Sequence, residues 1–272
     1  MRLLFLGDVV GRSGRDAVLR FLPDLKKNLK ADFTIVNGEN SANGFGINET
    51  MLKQFFAAGA DVVTAGDHVF DQSDTKFFIN QYPNLLRPFN MPPQLPGKGY
   101  NIYDAPRGKK ILVIHLLAQL FVRFQVNCPF QAVTEILEKH KLGRDVDYIF
   151  LDFHGEATSE KMAMAHYLDG KVSGVCGTHT HIPTGDVQVL PGGTAYLTDA
   201  GMCGDYDSVI GFQKDISITM FLNKIRGEKM KPAENAGTVC GMFIELDDNT
   251  GLAKKADYVR IGGRLKENIP NF

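Results

Sequence analysis

The sequence lacks the features that define several protein classes. Its four cysteines are widely separated and form no CxxC pair, so neither a zinc knuckle nor a disulfide framework is indicated. Basic and acidic residues nearly cancel, with 30 Lys and Arg against 31 Asp and Glu and a formal net charge of -1. A broad basic surface is therefore missing, and we expect a small substrate, with no stable nucleic-acid complex and no membrane contact.

Long hydrophobic runs are also missing. The longest mostly apolar stretch, residues 111–122, includes His115 and Gln119 and is shorter than the roughly 20 residues of a spanning helix. Only four consecutive apolar residues precede Gly7, whereas a signal peptide needs roughly 7–15. The scattered cysteines favour a reducing compartment. These features together predict a cytoplasmic protein.

Short apolar runs alternate with helical patterns through the first two thirds of the chain. The runs, which are typical of buried strands, are residues 3–6, 33–36, 62–65, 111–114, 148–153 and 172–176. Predicted helices begin at Ser13, near Asn48, after Asp71, after Pro129 and after Thr158. Ser13 and Asp16 fit a capping box, and Pro23 is expected to kink or restart the first helix. This alternation predicts an α/β fold with parallel strands.

The last third of the chain has strand-like segments and little helical pattern. The segments are residues 194–197, 216–222, 239–246 and 256–261. They predict a second, more antiparallel sheet, so we expect two packed sheets with helices outside. No repeat or clear linker is present, which predicts a single domain over residues 1–272 and is compatible with a homo-oligomer. The polar tail after about Arg264 is expected to be loosely ordered.

Metal-binding and acid–base side chains follow five of the predicted strands. They are Asp8, Glu39, Asn40, Asp67, His68, His154, His179 and His181. The carboxyl ends of parallel strands share one edge of a sheet, where α/β proteins bind ligands. If residues 179–181 are extended, the imidazoles of His179 and His181 lie on the same side. Oxygen and imidazole ligands without a thiolate favour Mn, Fe or Zn, and there are enough for two ions, an arrangement that hydrolyses phosphate esters.

Other catalytic and nucleotide-binding motifs are missing. No GxSxG motif occurs, so a serine hydrolase is not indicated. The segment Gly11-Arg12-Ser13-Gly14 does not have the GxGxxG spacing of a dinucleotide-binding turn. It can still contact a phosphate through Arg12 or Ser13 if it begins a helix.

The strand-end motifs resemble those of the calcineurin-like metallophosphoesterases and, within that superfamily, the YmdB-like family. The resemblance extends from residue 1 to about 264. It rests on the strand-end residues above and on the stretches 152–161, 177–183 and 199–211. It implies a four-layer α/β/β/α sandwich with mixed sheets. It also implies hydrolysis of phosphodiesters, notably cyclic nucleotides such as the 2′,3′-cyclic forms, at a centre of two iron or manganese ions.

The resemblance further implies a role for each site residue. Each ion has its own ligand set, and Glu39 bridges the two. The first set contains Asp8 and His181, with Asn40 as a ligand or a partner of one. The second set contains Asp67, His154 and His179. His68 is not a ligand; it would act as the general acid that protonates the leaving oxygen after attack by a metal-bridging hydroxide.

The chain departs from the family pattern at two positions. Asp67 stands where the family has Asn, and aspartate adds negative charge and offers no N–H to a phosphate. We predict that metal is retained and that phosphate affinity or turnover is reduced. His115 lies where similar proteins have an Asn-x-x-Gly motif, and it is either an added active-site group or a strand-end histidine. Two other functions stay open: a phosphomonoesterase or nucleotidase, and a metal- or nucleotide-binding regulator with weak turnover because of Asp67.

Overall fold

The first sheet contains strands from both the N-terminal and the C-terminal parts of the chain. The computed structural model describes residues 1–122, 125–224 and 228–272, and within these ranges the strands form two six-stranded sheets. In spatial order the first sheet contains β12 (Ala253–Ile261), β11 (Val239–Leu246), β1 (Arg2–Leu6), β2 (Phe33–Asn37), β3 (Val62–Thr64) and β4 (Leu85–Leu86). Strands β1 to β4 are parallel, whereas β11 is antiparallel to β1 and to β12.

The second sheet is built from the middle of the chain. In spatial order it contains β5 (Tyr100–Ala105), β6 (Lys109–Leu117), β7 (Tyr148–His154), β8 (Gly174–Thr178), β10 (Ala195–Leu197) and β9 (Gln188–Val189). Its four central strands are parallel, and β5 and β9 are antiparallel edge strands. Both sheets are therefore mixed.

The helices flank the sheets. They are α1 (Gly11–Asn28), α2 (Glu49–Ala58), α3 (Thr75–Phe78), α4 (Pro129–Lys139), α5 (Thr158–Leu168) and α6 (Lys214–Asn223), with 3-10 turns at Ile79–Gln81 and Pro106–Gly108. Apolar residues of α1 and α2 pack on the first sheet, and those of α4 and α5 pack on the second. Within the described parts of the chain, no helix has the length and apolar character needed to cross a membrane.

The side chains of β1 show how the layers are specified. Leu3 and Phe5 join an apolar cluster with Phe150 of the second sheet, while Leu4 and Leu6 join the cluster under α1. This alternation follows from the period of two along a strand. The cluster between the sheets and the two clusters under the helices make the predicted four-layer α/β/β/α sandwich.

Two predictions for the last third of the chain are wrong. Residues 216–222 lie within helix α6 and do not form a strand. The C-terminal strands also form no sheet of their own, because β11 and β12 extend the first sheet beside β1, and β10 joins the second sheet beside β8. The second sheet instead uses the run at residues 111–114, which is part of β6.

The start of α1 also differs from expectation. Helix α1 begins at Gly11 and continues through Pro23, and the Ser13 hydroxyl donates a hydrogen bond to the Asn235 carbonyl at 2.7 Å instead of capping the helix. In the C-terminal tail, Asn268 is in backbone pairing with Arg260 of β12, and the loose order expected of the tail stays a prediction. The Phe272 ring also lies 5.6 Å from the Phe243 ring of β11. This aromatic contact and the backbone hydrogen bonds of Asn268 place the tail against the first sheet.

Candidate metal centre

The candidate site lies where strands of both sheets end. Asp8 follows β1, Glu39 and Asn40 follow β2, and Asp67 and His68 follow β3, all in the first sheet. From the second sheet, His154 is the last residue of β7, and His179 and His181 follow β8. The strand ends named in the sequence analysis thus come from two packed sheets, and each sheet contributes candidate ligands to one site.

The predicted ligands form two groups that share one carboxylate. Glu39, Asp67, His154 and His179 bring one oxygen or nitrogen each within 4.8 Å of one another. Asp8, Glu39 and His181 do the same. Because Glu39 belongs to both groups, it lies where a bridging ligand between two ions would lie. Both groups are metal-compatible in ligand type, with carboxylate oxygens and imidazole nitrogens.

The buried carboxylates support a cation at this position. Asp8 Oδ1, Glu39 Oε2 and Asp67 Oδ1 are inaccessible to solvent and accept no hydrogen bond. Burial raises the pKa of Asp8 well above its ordinary value. Burial also opposes ionisation of Glu39, but the neighbouring His154 outweighs it and lowers the pKa of Glu39. Carboxylate oxygens that are buried without a hydrogen-bond donor are unfavourable, and bound cations would satisfy them.

The turn before Asp67 is built around the shared carboxylate. Gly66 has φ +41°, and a Cβ placed there would lie 1.4 Å from Glu39 Oε2. Only glycine therefore allows the backbone after β3 to approach Glu39 so closely. This close approach brings Asp67 Oδ1 to 3.5 Å from His154 Nε2.

A hydrogen-bond chain fixes the ring of His154. The Thr178 hydroxyl donates to Asp152 Oδ1 at 2.7 Å, so its oxygen is available to accept from His154 Nδ1 at 2.8 Å. This leaves Nε2 facing the shared carboxylate, 3.2 Å from Glu39 Oε2. Partners of this kind set the tautomer and orientation of metal-binding histidines.

His181 is oriented in the same way by a backbone carbonyl. Burial lowers the pKa of His181, which favours a neutral ring with one N–H. That N–H is at Nδ1, 2.7 Å from the Ile210 carbonyl. The unprotonated Nε2 then lies 3.2 Å from Asn40 Oδ1, so two electron-pair donors face the same point. This geometry supports Asn40 as a further ligand, with Asn40 Nδ2 held by the Gly44 carbonyl at 3.0 Å.

The two histidines after β8 reach the site by a turn. The condition of an extended segment is not met, because His179 has φ 103° and His181 has φ 67°, in the left-handed region that residues other than glycine rarely adopt. Such conformations cost roughly 1–3 kcal/mol each and cluster at functional sites. The turn directs the imidazoles to different groups, His179 to that of Asp67 and His181 to that of Asp8.

Asp152 is a buried hydrogen-bond acceptor beneath the site. The sequence patterns assign it no role. It is fully buried and accepts hydrogen bonds from Asn37 Nδ2 at 3.1 Å, Thr64 Oγ1 at 2.6 Å and Thr178 Oγ1 at 2.7 Å. Asn37 and Thr64 belong to the first sheet, whereas Asp152 and Thr178 belong to the second. One carboxylate therefore joins the two sheets directly under the ligands.

Replacing Asp152 with alanine should destabilise the protein and loosen the metal centre. Three buried donors lose their acceptor, so we expect the free energy of unfolding to fall by about 3 kcal/mol or more in urea denaturation. Metal affinity should fall about tenfold, because Thr178 no longer holds His154. Asp145→Ala, at an exposed aspartate, is the control. A destabilisation by Asp152→Ala no larger than that of the control would contradict this role.

His68 stands beside the ligand groups and belongs to neither. Its Nδ1 lies 2.7 Å from Asp71 Oδ2, and its Nε2 lies 3.7 Å from Asp67 Oδ1. The Phe45 ring contacts the imidazole edge-on, with centroids 5.1 Å apart. Asp71 and Phe45 thus hold one ring nitrogen of His68 toward the centre. Asp71 was missed as a site residue, although its spacing of three residues from His68 is a signal that could have indicated it.

His115 is placed inside strand β6 and is fully buried. Its Nε2 accepts a hydrogen bond from the Gly66 backbone N–H at 2.9 Å, and its Nδ1 lies 3.1 Å from the Asp152 carbonyl. Burial lowers the pKa of His115, in keeping with a neutral ring that donates at one nitrogen and accepts at the other. His115 therefore connects β7 to the turn that carries Asp67 and is in neither ligand group.

Arg12 and Ser13 are not brought into the ligand groups. The Arg12 side chain is exposed and lies 3.4 Å from Asp16, and with Ser13 it lines a surface groove of about 360 Å³. The Gly11 N–H donates to the Asn40 carbonyl at 2.9 Å. A phosphate contact by Arg12 or Ser13 stays a prediction.

Comparison with known proteins decides the family. The YmdB-like protein family profile matches residues 4–259. The chain belongs to the YmdB-like family. This confirms the resemblance inferred from the strand-end motifs.

Relatives of this YmdB-like chain match it along nearly its whole length. A Bacillus subtilis protein named 2′,3′-cyclic-nucleotide 2′-phosphodiesterase is 42% identical over 261 residues, covering 96% of this chain and 97% of the relative. The structure of a Thermus thermophilus protein has a TM-score of 0.90 at 35% identity, covering 97% and 100% of the chains. The structure of a Mycoplasma pneumoniae phosphatase has a TM-score of 0.89 at 35% identity, covering 96% and 93%.

Proposed function

We propose that this YmdB-like chain is a two-metal phosphodiesterase that hydrolyses small cyclic nucleotides of the 2′,3′ type. The observation that carries the proposal is Glu39, whose carboxylate is common to two adjoining ligand groups. The full-length similarity to a Bacillus subtilis cyclic-nucleotide phosphodiesterase supports the substrate class. The near-zero net charge, without a broad basic excess, suits a small nucleotide better than a long polynucleotide.

The ligand assignment follows the two groups. Asp8, Asn40 and His181 would hold one ion, Asp67, His154 and His179 would hold the other, and Glu39 would bridge them. When bound, two such ions lower the pKa of water toward neutrality and offset the charge of the phosphate. The donors favour iron or manganese, with zinc as an alternative. The four cysteines are free thiols, which supports the predicted cytoplasmic location.

His68 would supply the proton that the reaction needs. Hydrolysis breaks one P–O ester bond, forms a new bond from phosphorus to the water oxygen, and leaves an alkoxide on the ribose. Asp71 holds His68 Nδ1, so Nε2 is the nitrogen that faces the centre and would donate the proton to the leaving oxygen. Phe45 contacts the imidazole edge-on and restricts its movement.

A substrate screen on metal-quantified protein tests the proposal. We expect turnover of 2′,3′-cyclic nucleotides and of a bis-aryl phosphate ester, with weaker turnover of phosphomonoesters. Preferred hydrolysis of monoesters would instead assign a phosphatase or nucleotidase. Stoichiometric metal with no turnover of any ester would instead indicate a metal- or nucleotide-binding regulator. The extra charge of Asp67 is the reason for considering that function.

Replacing Asp67 with asparagine should raise activity. His154 and His68 outweigh burial and lower the pKa of Asp67, so the side chain is anionic and repels the phosphate. Asparagine keeps an oxygen ligand and adds an N–H donor, so we expect unchanged metal content and phosphate inhibition strengthened roughly tenfold, about 1.4 kcal/mol. Steady-state kinetics with inorganic phosphate as inhibitor measures this. Equal phosphate inhibition and equal turnover in the two proteins would refute the effect.

A further inference from the structure

A buried ion pair lies behind the turn that carries His179 and His181. Lys161 Nζ of helix α5 is 2.7 Å from Asp199 Oδ2, and the two side chains are 1% and 0% exposed. Neither residue belongs to a ligand group. The Lys161 stem crosses the end of β8, because a Cβ placed on Gly177 would lie 2.8 Å from Lys161 Cδ. The pair is thus close to the centre and has no part in binding the ions.

Asp199 connects this ion pair to the backbone of the turn. The Asp199 Oδ2 atom that contacts Lys161 also accepts a hydrogen bond from the Thr180 N–H at 3.1 Å, and Thr180 lies between the two histidines. Asp199 Oδ1 accepts from the Gly201 N–H at 2.9 Å. The Asp199 carbonyl accepts from the Thr184 N–H at 3.1 Å. Asp199 therefore fixes the turn at Thr180, in its middle, and at Thr184, just beyond its end.

The conformation of the turn requires such an anchor. His179 and His181 both have positive φ, which an isolated chain would avoid. Strained residues persist where surrounding contacts determine their conformation. A buried ion pair is in general no more stabilising than well-packed apolar residues of similar volume, so stability alone does not account for a lysine and an aspartate here.

We propose that the Lys161–Asp199 ion pair positions the His179–His181 turn and thereby sets the metal affinity of the centre. Lys161 holds the Asp199 carboxylate in place toward the Thr180 N–H, which holds the two imidazoles at their separate ligand groups. Lys161 and Asp199 are positioning residues, since they act through the turn. The inference rests on the proposed two-metal function.

Isothermal titration calorimetry, in which Mn²⁺ is added to protein freed of metal with a chelator, tests the proposal. Lys161→Met should lower Mn²⁺ affinity about tenfold or more, the usual effect of losing a partner of metal ligands. The control is Lys109→Met, which breaks the Lys109–Asp147 ion pair of similar length, 2.8 Å. Neither residue of this pair belongs to a ligand group. The control should bind Mn²⁺ as the unaltered protein does. Urea unfolding of the metal-free proteins separates an effect on affinity from one on stability.

A second variant covers the case in which Lys161→Met does not fold. Lys161→Met with Asp199→Leu removes both charges, so that no buried carboxylate is left alone, and it leaves the Thr180 N–H without its side-chain acceptor. We expect reduced Mn²⁺ affinity here too. Wild-type affinity in the folded variants, with or without a loss of stability, would overturn the proposal. Failure of the unaltered protein to bind Mn²⁺ would instead refute the proposed metal centre.

Discussion

Glu39→Gln should abolish most hydrolysis and remove the pairing of two ions. Glutamine has nearly the same shape, but its amide offers one neutral oxygen where two ligand groups share a carboxylate. Bound metal should fall from two ions per chain to one or fewer. Turnover of a 2′,3′-cyclic nucleotide should fall roughly 10³-fold, about 4 kcal/mol of transition-state stabilisation. Elemental analysis and initial rates on the same sample measure both effects.

Glu156→Gln is the matched control for this experiment. The Glu156 side chain is half-exposed and lies 3.4 Å from His179 Nε2, so it is close to the centre without belonging to either ligand group. The control should retain two ions and turnover within about threefold, since exposed charge pairs contribute little. Two ions and full turnover in Glu39→Gln would show that the shared carboxylate does not bridge.

His68→Ala should separate catalysis from metal binding. The imidazole lies outside both ligand groups, so metal content should stay at two ions. Turnover of a cyclic nucleotide should fall roughly 10²–10⁴-fold, because the ribose alkoxide loses its proton donor. An ester with a nitrophenolate leaving group needs little protonation, and its hydrolysis should fall much less.

The difference between the two substrates is the diagnostic result for His68. His166→Ala, an exposed histidine of α5, should leave both rates unchanged. Equal losses on both substrates would indicate that His68 stabilises charge on the phosphate and does not protonate the leaving group. Full activity of His68→Ala on cyclic nucleotides would exclude it from the reaction.

Much of the fold follows from periodicity, and the exceptions have physical causes. The apolar runs before Asp8 and Glu39 were predictable as strands, because a parallel strand covered on both faces is a continuous apolar run. Residues 216–222 alternate branched and polar side chains and indicated a strand, yet they form α6. Of the residues in α6, Ser217 is buried, while Ile218, Phe221 and Leu222 are largely exposed. Because α6 has no strongly buried face, the alternation of side chains in residues 216–222 did not distinguish a helix from a strand.

The residues of the two candidate ligand groups were predictable from the sequence, whereas the residues that support them were less so. Strand ends concentrate chemistry, so Asp8, Glu39 and His154 could be identified from position alone. Asp152 and Lys161 act through contacts between elements far apart in sequence, and no local spacing shows that Asp152 meets Asn37 or that Lys161 meets Asp199. Residues 179–181 are not extended, because tertiary hydrogen bonds hold them as a turn that no local pattern shows.

The most direct test of the two-ion centre is a stepwise metal titration with activity measured at every step. Mn²⁺ is added to chelated protein while bound metal and hydrolysis of 2′,3′-cyclic AMP are followed together. The shared carboxylate of Glu39 predicts saturation at two ions per chain, with activity appearing as the second ion binds. Full activity with one ion or none would contradict a bridged two-metal centre.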